Sequence, residues 1–132
     1  MGVMKILVDT SAFSAFKRGN AAVMKALQDA DEVIVPVVAL GELYAGFAMG
    51  SHTRKNEREL REFLASPSVR VQDVDLSVVD RYGAVVKAMR LQGIPIPTND
   101  LWIAACALEA GARILSLDAH FEKVPGMHPV PL

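Results

Sequence analysis

One cysteine, Cys106, stands in 132 residues. No internal disulfide can form, and such a chain fits a reducing compartment. No apolar run approaches the roughly 18 residues that a bilayer-spanning helix needs. The apolar start at residues 4–8 is cut short by Asp9, so no signal-peptide core is expected. Met1-Gly2 opens like an N-myristoylation signal, but Ile6 stands where that signal wants Ser or Thr. These absences predict a cytoplasmic protein without membrane attachment. Charge of one sign is missing too: 14 Lys and Arg face 15 Asp and Glu, a formal net charge of −1. Any contact with nucleic acid must then use a local basic patch or a metal ion. Repeats, low-complexity stretches and linkers are absent, and the length suits one domain over residues 1–132.

What is present is apolar. Hydrophobic residues make up 52% and charged residues 22%, enough for a core with no metal or disulfide staple. Lys5-Ile6-Leu7-Val8 predicts a buried strand, and Asp9-Thr10-Ser11 the start of a helix over residues 12–17. A second short helix covers residues 21–29, and Glu32-Val33-Ile34-Val35 is the next strand. Leu40, Leu43, Tyr44 and Phe47 recur at helical spacing within residues 37–49. Residues 53–65 form a charged helix whose apolar side is Leu60, Phe63 and Leu64. Alternation in residues 69–74 predicts a strand near the sheet edge. Asp75 can cap, and Gly93 stop, a long helix over residues 76–92. After Ile94-Pro95-Ile96-Pro97, which cannot be helical, Thr98-Asn99-Asp100 opens a helix that ends before Gly111. Residues 113–117 are an apolar strand, followed by Asp118 and a helical turn through Lys123. Residues 127–132 suggest a last edge strand that Pro129 and Pro131 weaken. Short strands alternating with helices predict an α/β fold, a parallel sheet covered on both faces. In such sheets ligands sit beyond the carboxyl ends of the strands.

Four carboxylates stand in unexpected places. Asp9 follows Ile6-Leu7-Val8, and Asp118 follows Ile114-Leu115-Ser116-Leu117. Glu42 lies inside an apolar helical segment, and Asp100 precedes Leu101-Trp102-Ile103-Ala104-Ala105-Cys106. A parallel sheet lets all four converge at its carboxyl edge. Unneutralised, they would repel one another or take up protons. A hard divalent cation is the simplest balance. Oxygen ligands favour Mg²⁺ or Mn²⁺, and no paired Cys or His ligands suggest zinc. Each acid also has a plainer explanation. Asp9 and Asp100 stand where helix N-caps stand, and Asp118 where a turn residue does. Glu42 has the weakest alternative, since its apolar helix offers no evident solvent face.

These segments resemble the PIN-domain ribonucleases. Leu7-Val8-Asp9-Thr10-Ser11, Leu40-Gly41-Glu42-Leu43 with Gly46 beyond, Asp100-Leu101-Trp102-Ile103-Ala104-Ala105 and Ser116-Leu117-Asp118-Ala119-His120-Phe121 carry the resemblance, in order and over nearly the whole chain. Among those ribonucleases the chain is similar to the VapC toxins of toxin–antitoxin pairs. The resemblance implies a PIN-like three-layer sandwich, with a parallel sheet of four or five strands in the order 3-2-1-4-5. It implies an endoribonuclease dependent on Mg²⁺ or Mn²⁺, a homodimer, and a cognate VapB-type antitoxin. It also implies Asp9, Glu42, Asp100 and Asp118 as the metal-holding, catalytic carboxylates, with the Ser11 hydroxyl near the metal. Ser116 stands where many members carry Thr. His120 stands where an acidic residue is common, and it is outside the implied metal set.

Lys17, Arg18, Arg54, Lys55, Arg58 and Arg61 are the basic residues suited to phosphates. Glu57, Glu59 and Glu62 are interleaved with the last four, as on an ordinary solvated helix face. Trp102 suits a core or dimer-interface role better than base stacking. His52 and His128 have no partners at ligand spacing, and Cys106 reads as a buried small hydrophobe. Two other classes compete. A small Asp-based phosphotransferase of the haloacid-dehalogenase type wants a second Asp two residues after the first, where Ser11 stands. A non-catalytic RNA-binding or receiver-like module with a vestigial site is opposed by the intact quartet.

Overall fold

A computed structural model describes residues 3–132, and the Met1-Gly2 start lies outside them. Four short strands, β1 (Lys5–Val8), β2 (Glu32–Pro36), β3 (Val69–Gln72) and β4 (Arg113–Leu115), form one parallel sheet in the order β3-β2-β1-β4. β1 is central, with Leu7 opposite Ile34 on one side and Ile114 on the other. A strand covered on both faces needs an uninterrupted apolar run, which Ile6, Leu7 and Val8 supply, all of them buried.

Six helices cover the sheet: α1 (Thr10–Lys17), α2 (Ala21–Asp29), α3 (Val37–Met49), α4 (Thr53–Leu64), α5 (Leu76–Gln92) and α6 (Thr98–Ala110). Side chains alternate along β1 and so split the core in two. Leu7, Ile34 and Ile114 pack with Val78, Val85 and Met89 of α5 and Ile103 of α6. Ile6, Val8 and Val33 pack with Phe13, Val23 and Leu60 from α1, α2 and α4. This is the three-layer arrangement. Gly93 ends α5 with φ 69°, in the left-handed region where a side chain would be strained. Cys106 is buried in α6, and burial first, Asp75 second, pushes its thiol up to about 11. A thiol held that high is inert packing.

Among the described residues the sheet has four strands, the lower of the two expected numbers, and no fifth strand extends the order beyond β4. Residues 127–132 meet β4 through a single parallel bridge between Ile114 and Pro129. Ile114 N donates to His128 O at 3.1 Å, and Val130 N donates to Ile114 O at 2.8 Å. Pro129 and Pro131 have no N–H, so the ladder stops there. Several boundaries also differ, two of them with a clear local cause. α1 starts at Thr10 because Asp9 is its N-cap. β4 ends at Leu115 because the next residues turn their amides to serine hydroxyls: Leu117 N donates to Ser11 Oγ and Asp118 N to Ser116 Oγ.

Candidate functional site

The neighbouring carboxyl ends of β1 and β4 deliver Asp9, Ser116 and Asp118 to one edge of the sheet. The second turn of α3 brings Glu42, and the first turn of α6 brings Asp100. A cleft of about 530 Å³ opens between them, lined by all four acids together with Thr10, Ser11 and Asn99.

Asp9 is buried and held from three sides. Its Oδ1 accepts from Ala12 N and from Ser11 Oγ, each at 2.8 Å, and its Oδ2 accepts from Ser116 Oγ. Asp9 therefore caps α1 and also lines the cleft. A carboxylate offers about four acceptor positions, so three bonds leave about one facing the cleft. Burial is the largest influence on Asp9 and raises its pKa. The hydrogen bonds from Ser116, Ala12 and Ser11 oppose that rise, and the charge of Asp118 adds to it. Ser11, where a phosphotransferase would need its second Asp, is committed to Asp9 and to Leu117 N.

Glu42 is half-buried. Thr10 Oγ1 donates to its Oε1 at 2.7 Å and Asn99 Nδ2 to its Oε2 at 3.4 Å. These clamps settle where the carboxylate points. The cap explanation fails for Asp100. Pro97 occupies the N-cap of α6, where no side chain makes a capping bond. Instead Asp100 Oδ2 lies 2.8 Å from His120 Nε2. Burial raises the Asp100 pKa. The His120 interactions oppose this, and the charges of Glu42 and Asp118 reinforce it. Asp118 is exposed; its backbone amide is satisfied by Ser116, and its side chain makes no capping bond.

Asp100, Asp118 and His120 each offer a ligand atom, and these atoms lie within 4.8 Å of one another. The donor set, carboxylate oxygens with one imidazole, fits a divalent first-row ion or Mg²⁺. Burial first, and neighbouring charge after it, raise Asp9 and Asp100, and such an ion would offset both. A raised native pKa gives stability that is complete below the unfolded value and is lost as pH climbs through the native value. In EDTA, Asp100→Asn should therefore gain in melting temperature over wild type as pH rises from about 4 to about 7. Saturating divalent ion at the upper pH should close that gap. Paired thermal melts across the range check both expectations.

Two residues of this neighbourhood are missed by reasoning from sequence, and a third, His120, is weighed there and left outside the metal set. Thr10 and Asn99 each adjoin an acid in the chain, which is the signal that could have found them. His120 follows Asp118 by two residues and lies in the 3₁₀ helix Ala119–Lys123. Of the basic residues, Lys17 pairs with Glu59, Lys55 lies 4.0 Å from Glu59, and Arg61 lies 4.0 Å from Glu57. Arg18, Arg54 and Arg58 make no ion pair among the described residues and keep their charge available. Trp102 is half-buried, stacked on Tyr82 at 3.7 Å and 14°, and takes no part in the cleft. His52 and His128 are exposed.

A family model described as "PIN domain" matches residues 6–127. The chain belongs to the PIN-domain family. Along its whole length it is 27% identical to "Ribonuclease VapC4" of Mycobacterium tuberculosis, over 137 residues and the full length of that protein. Its fold matches the PIN chain in VapBC2 from Rickettsia felis bound to a DNA fragment from their promoter. That match has a TM-score of 0.86, 20% identity, and coverage of 96% of this chain and 98% of the other. VapBC-5 of Mycobacterium tuberculosis, a member of the VapBC family of toxin-antitoxin systems, matches with a TM-score of 0.74 and 25% identity. There 96% of this chain and 98% of the other are covered. The central position of β1, with β2 and β4 on either side, puts the acids of this chain in one cleft.

Proposed function

We propose that this PIN-domain chain is a VapC-type ribonuclease, the toxin of a VapBC pair, which cuts RNA phosphodiesters with the help of a divalent cation. The observation that carries the reading is the meeting of Asp9, Glu42, Asp100 and Asp118 in one cleft at the carboxyl edge of the sheet. The full-length likeness to a protein named as a VapC ribonuclease supports it. Asp100 and Asp118 hold the ion, with Asp9 and Glu42 completing the negative pocket. Ser11 and Ser116 fix the Asp9 carboxylate, and Thr10 and Asn99 fix Glu42. Mg²⁺ or Mn²⁺ supplies charge neutralisation and Lewis acidity toward the phosphodiester. Arg18, Arg54 and Arg58, which make no ion pair among the described residues, have their charge available for RNA phosphates. Hydrolysis of this class leaves a 5′-phosphate and a 3′-hydroxyl.

The partner is a VapB-type antitoxin. A basic side chain of that partner suits the acidic cleft. Its apolar residues suit the smaller hollow of about 200 Å³ between Phe13, Leu43 and Phe47. The test is RNA cleavage by the purified chain. Cleavage should need Mg²⁺ or Mn²⁺, stop with EDTA, and stop again when the antitoxin is added. Turnover of a small phosphoester with no RNA cut under either ion would sink the reading.

The protein works in the cytoplasm as a homodimer. No helix among the described residues is long and apolar enough to cross a membrane. Exposed apolar side chains such as Met49 at 89% and Leu76 provide surface that a second copy can cover. Light scattering at micromolar concentration should give about twice 14.3 kDa. A monomer there would contradict the dimer.

A further inference from the structure

We infer that His120 is itself a metal ligand, so that the cleft holds a mixed carboxylate–imidazole site selective for Mn²⁺ over Mg²⁺. This rests on the metal-dependent reading of the same cleft and specifies which ion it takes. The imidazole belongs, with Asp100 and Asp118, to a group whose ligand atoms all lie within 4.8 Å of one another. His120 Nε2 and Asp100 Oδ2 are 2.8 Å apart. Two neighbouring ligands at about 2.1 Å from an octahedral ion lie about 3.0 Å apart, so this spacing suits a shared ion as well as a hydrogen bond.

The ring is also well anchored. His120 lies in the 3₁₀ helix Ala119–Lys123, half-buried, with its ring 5.0 Å from that of the buried Phe121. An imidazole positioned in advance loses little freedom when it binds an ion. Its presence changes the preferred metal. Mg²⁺ favours oxygen ligands and retains its waters, whereas imidazole suits the first-row ions, and Mn²⁺ accepts carboxylate and imidazole together. Asp118 is exposed and Asp9 is largely occupied by its hydroxyl and amide donors. A nitrogen ligand thus contributes a substantial share of the remaining binding.

The deciding measurement is pulsed electron paramagnetic resonance of the wild-type protein loaded with Mn²⁺ alone. Modulation from a directly bound ¹⁴N is expected. Titration calorimetry should then show Mn²⁺ binding at least ~10-fold weaker in both His120→Asn and His120→Ala, with Mg²⁺ binding little changed. Melts in EDTA check that both variants fold, and the wild-type spectrum decides the matter even if they do not. If Mn²⁺ binds without ¹⁴N coupling, His120 only hydrogen-bonds Asp100 and the inference is overturned. Divalent-dependent RNA cleavage would in that case leave the nuclease reading standing. If the wild-type protein binds no Mn²⁺ at all, the inference falls, and failure to cleave RNA under either ion would bring down the nuclease reading with it.

Discussion

Asp100→Asn is expected to slow RNA cleavage by at least ~100-fold, or about 2.7 kcal/mol of transition-state stabilisation, while the metal-free protein unfolds no earlier than wild type. The two halves have separate causes. Asn keeps the shape of Asp and can still hydrogen-bond His120, and no capping bond is lost because Asp100 makes none. The change gives up a favourable position in the first turn of α6, worth about 0.3–1 kcal/mol. Against that, it removes a charge that burial, Glu42 and Asp118 all disfavour. Burial first, with those two charges, holds the Asp100 carboxyl above its ordinary range. Activity suffers because one of the few charges facing the ion disappears. Expression of this variant without antitoxin should leave cell growth unaffected. A variant that melts markedly earlier yet cuts RNA at the wild-type rate would make Asp100 a structural residue.

Phe121→Ala should cost about 3–5 kcal/mol, a large part of the stability of a domain this size. Phe121 is 1% exposed and packs into the core beneath α5 and α6. It is also the apolar anchor of the short helix that carries His120 and follows Asp118. Its loss should therefore weaken cleavage even where the protein remains folded. Leu91→Ala is the control: that side chain is 79% exposed on α5, and its removal should change stability by under about 0.5 kcal/mol. Urea unfolding of the three proteins separates the cases. A Phe121→Ala cost below about 1 kcal/mol with full activity would show that the segment is held by something else.

Much of the architecture is visible in the residue pattern because parallel strands buried on both faces leave a strong mark. Ile6-Leu7-Val8, Val33-Ile34-Val35 and Ile114-Leu115 are such marks, and Asp9 and Asp118 are conspicuous as the first charges after two of them. The caps of α5 are equally plain, Asp75 at its start and Gly93 at its end. Other features depend on distance in space. The His120–Asp100 contact joins residues 20 apart, and the Thr10–Glu42 clamp joins residues 32 apart. No periodicity announces either. Helical spacing also leaves undecided which side of α3 faces inward: only Ala39 and Leu43 are buried there, and Glu42 sits half-buried at the margin. The missing fifth strand turns on two prolines, whose effect is decided by whether an N–H was needed at that edge.

Asp9 does two jobs through different atoms. Its Oδ1 starts α1 by taking the Ala12 amide, and its Oδ2 receives the Ser116 hydroxyl that ties the end of β4 to the end of β1. Glu42 and Asp100 make only side-chain contacts, with Thr10, Asn99 and His120, and none of the three acids caps a helix as Asp9 does. In a lineage where RNA cutting no longer mattered, those three could drift freely, whereas Asp9 would still be retained as the pin joining two strands and a helix. A relative with only the first acid intact would then be a retired enzyme, and its surviving aspartate would be no sign of lingering catalysis.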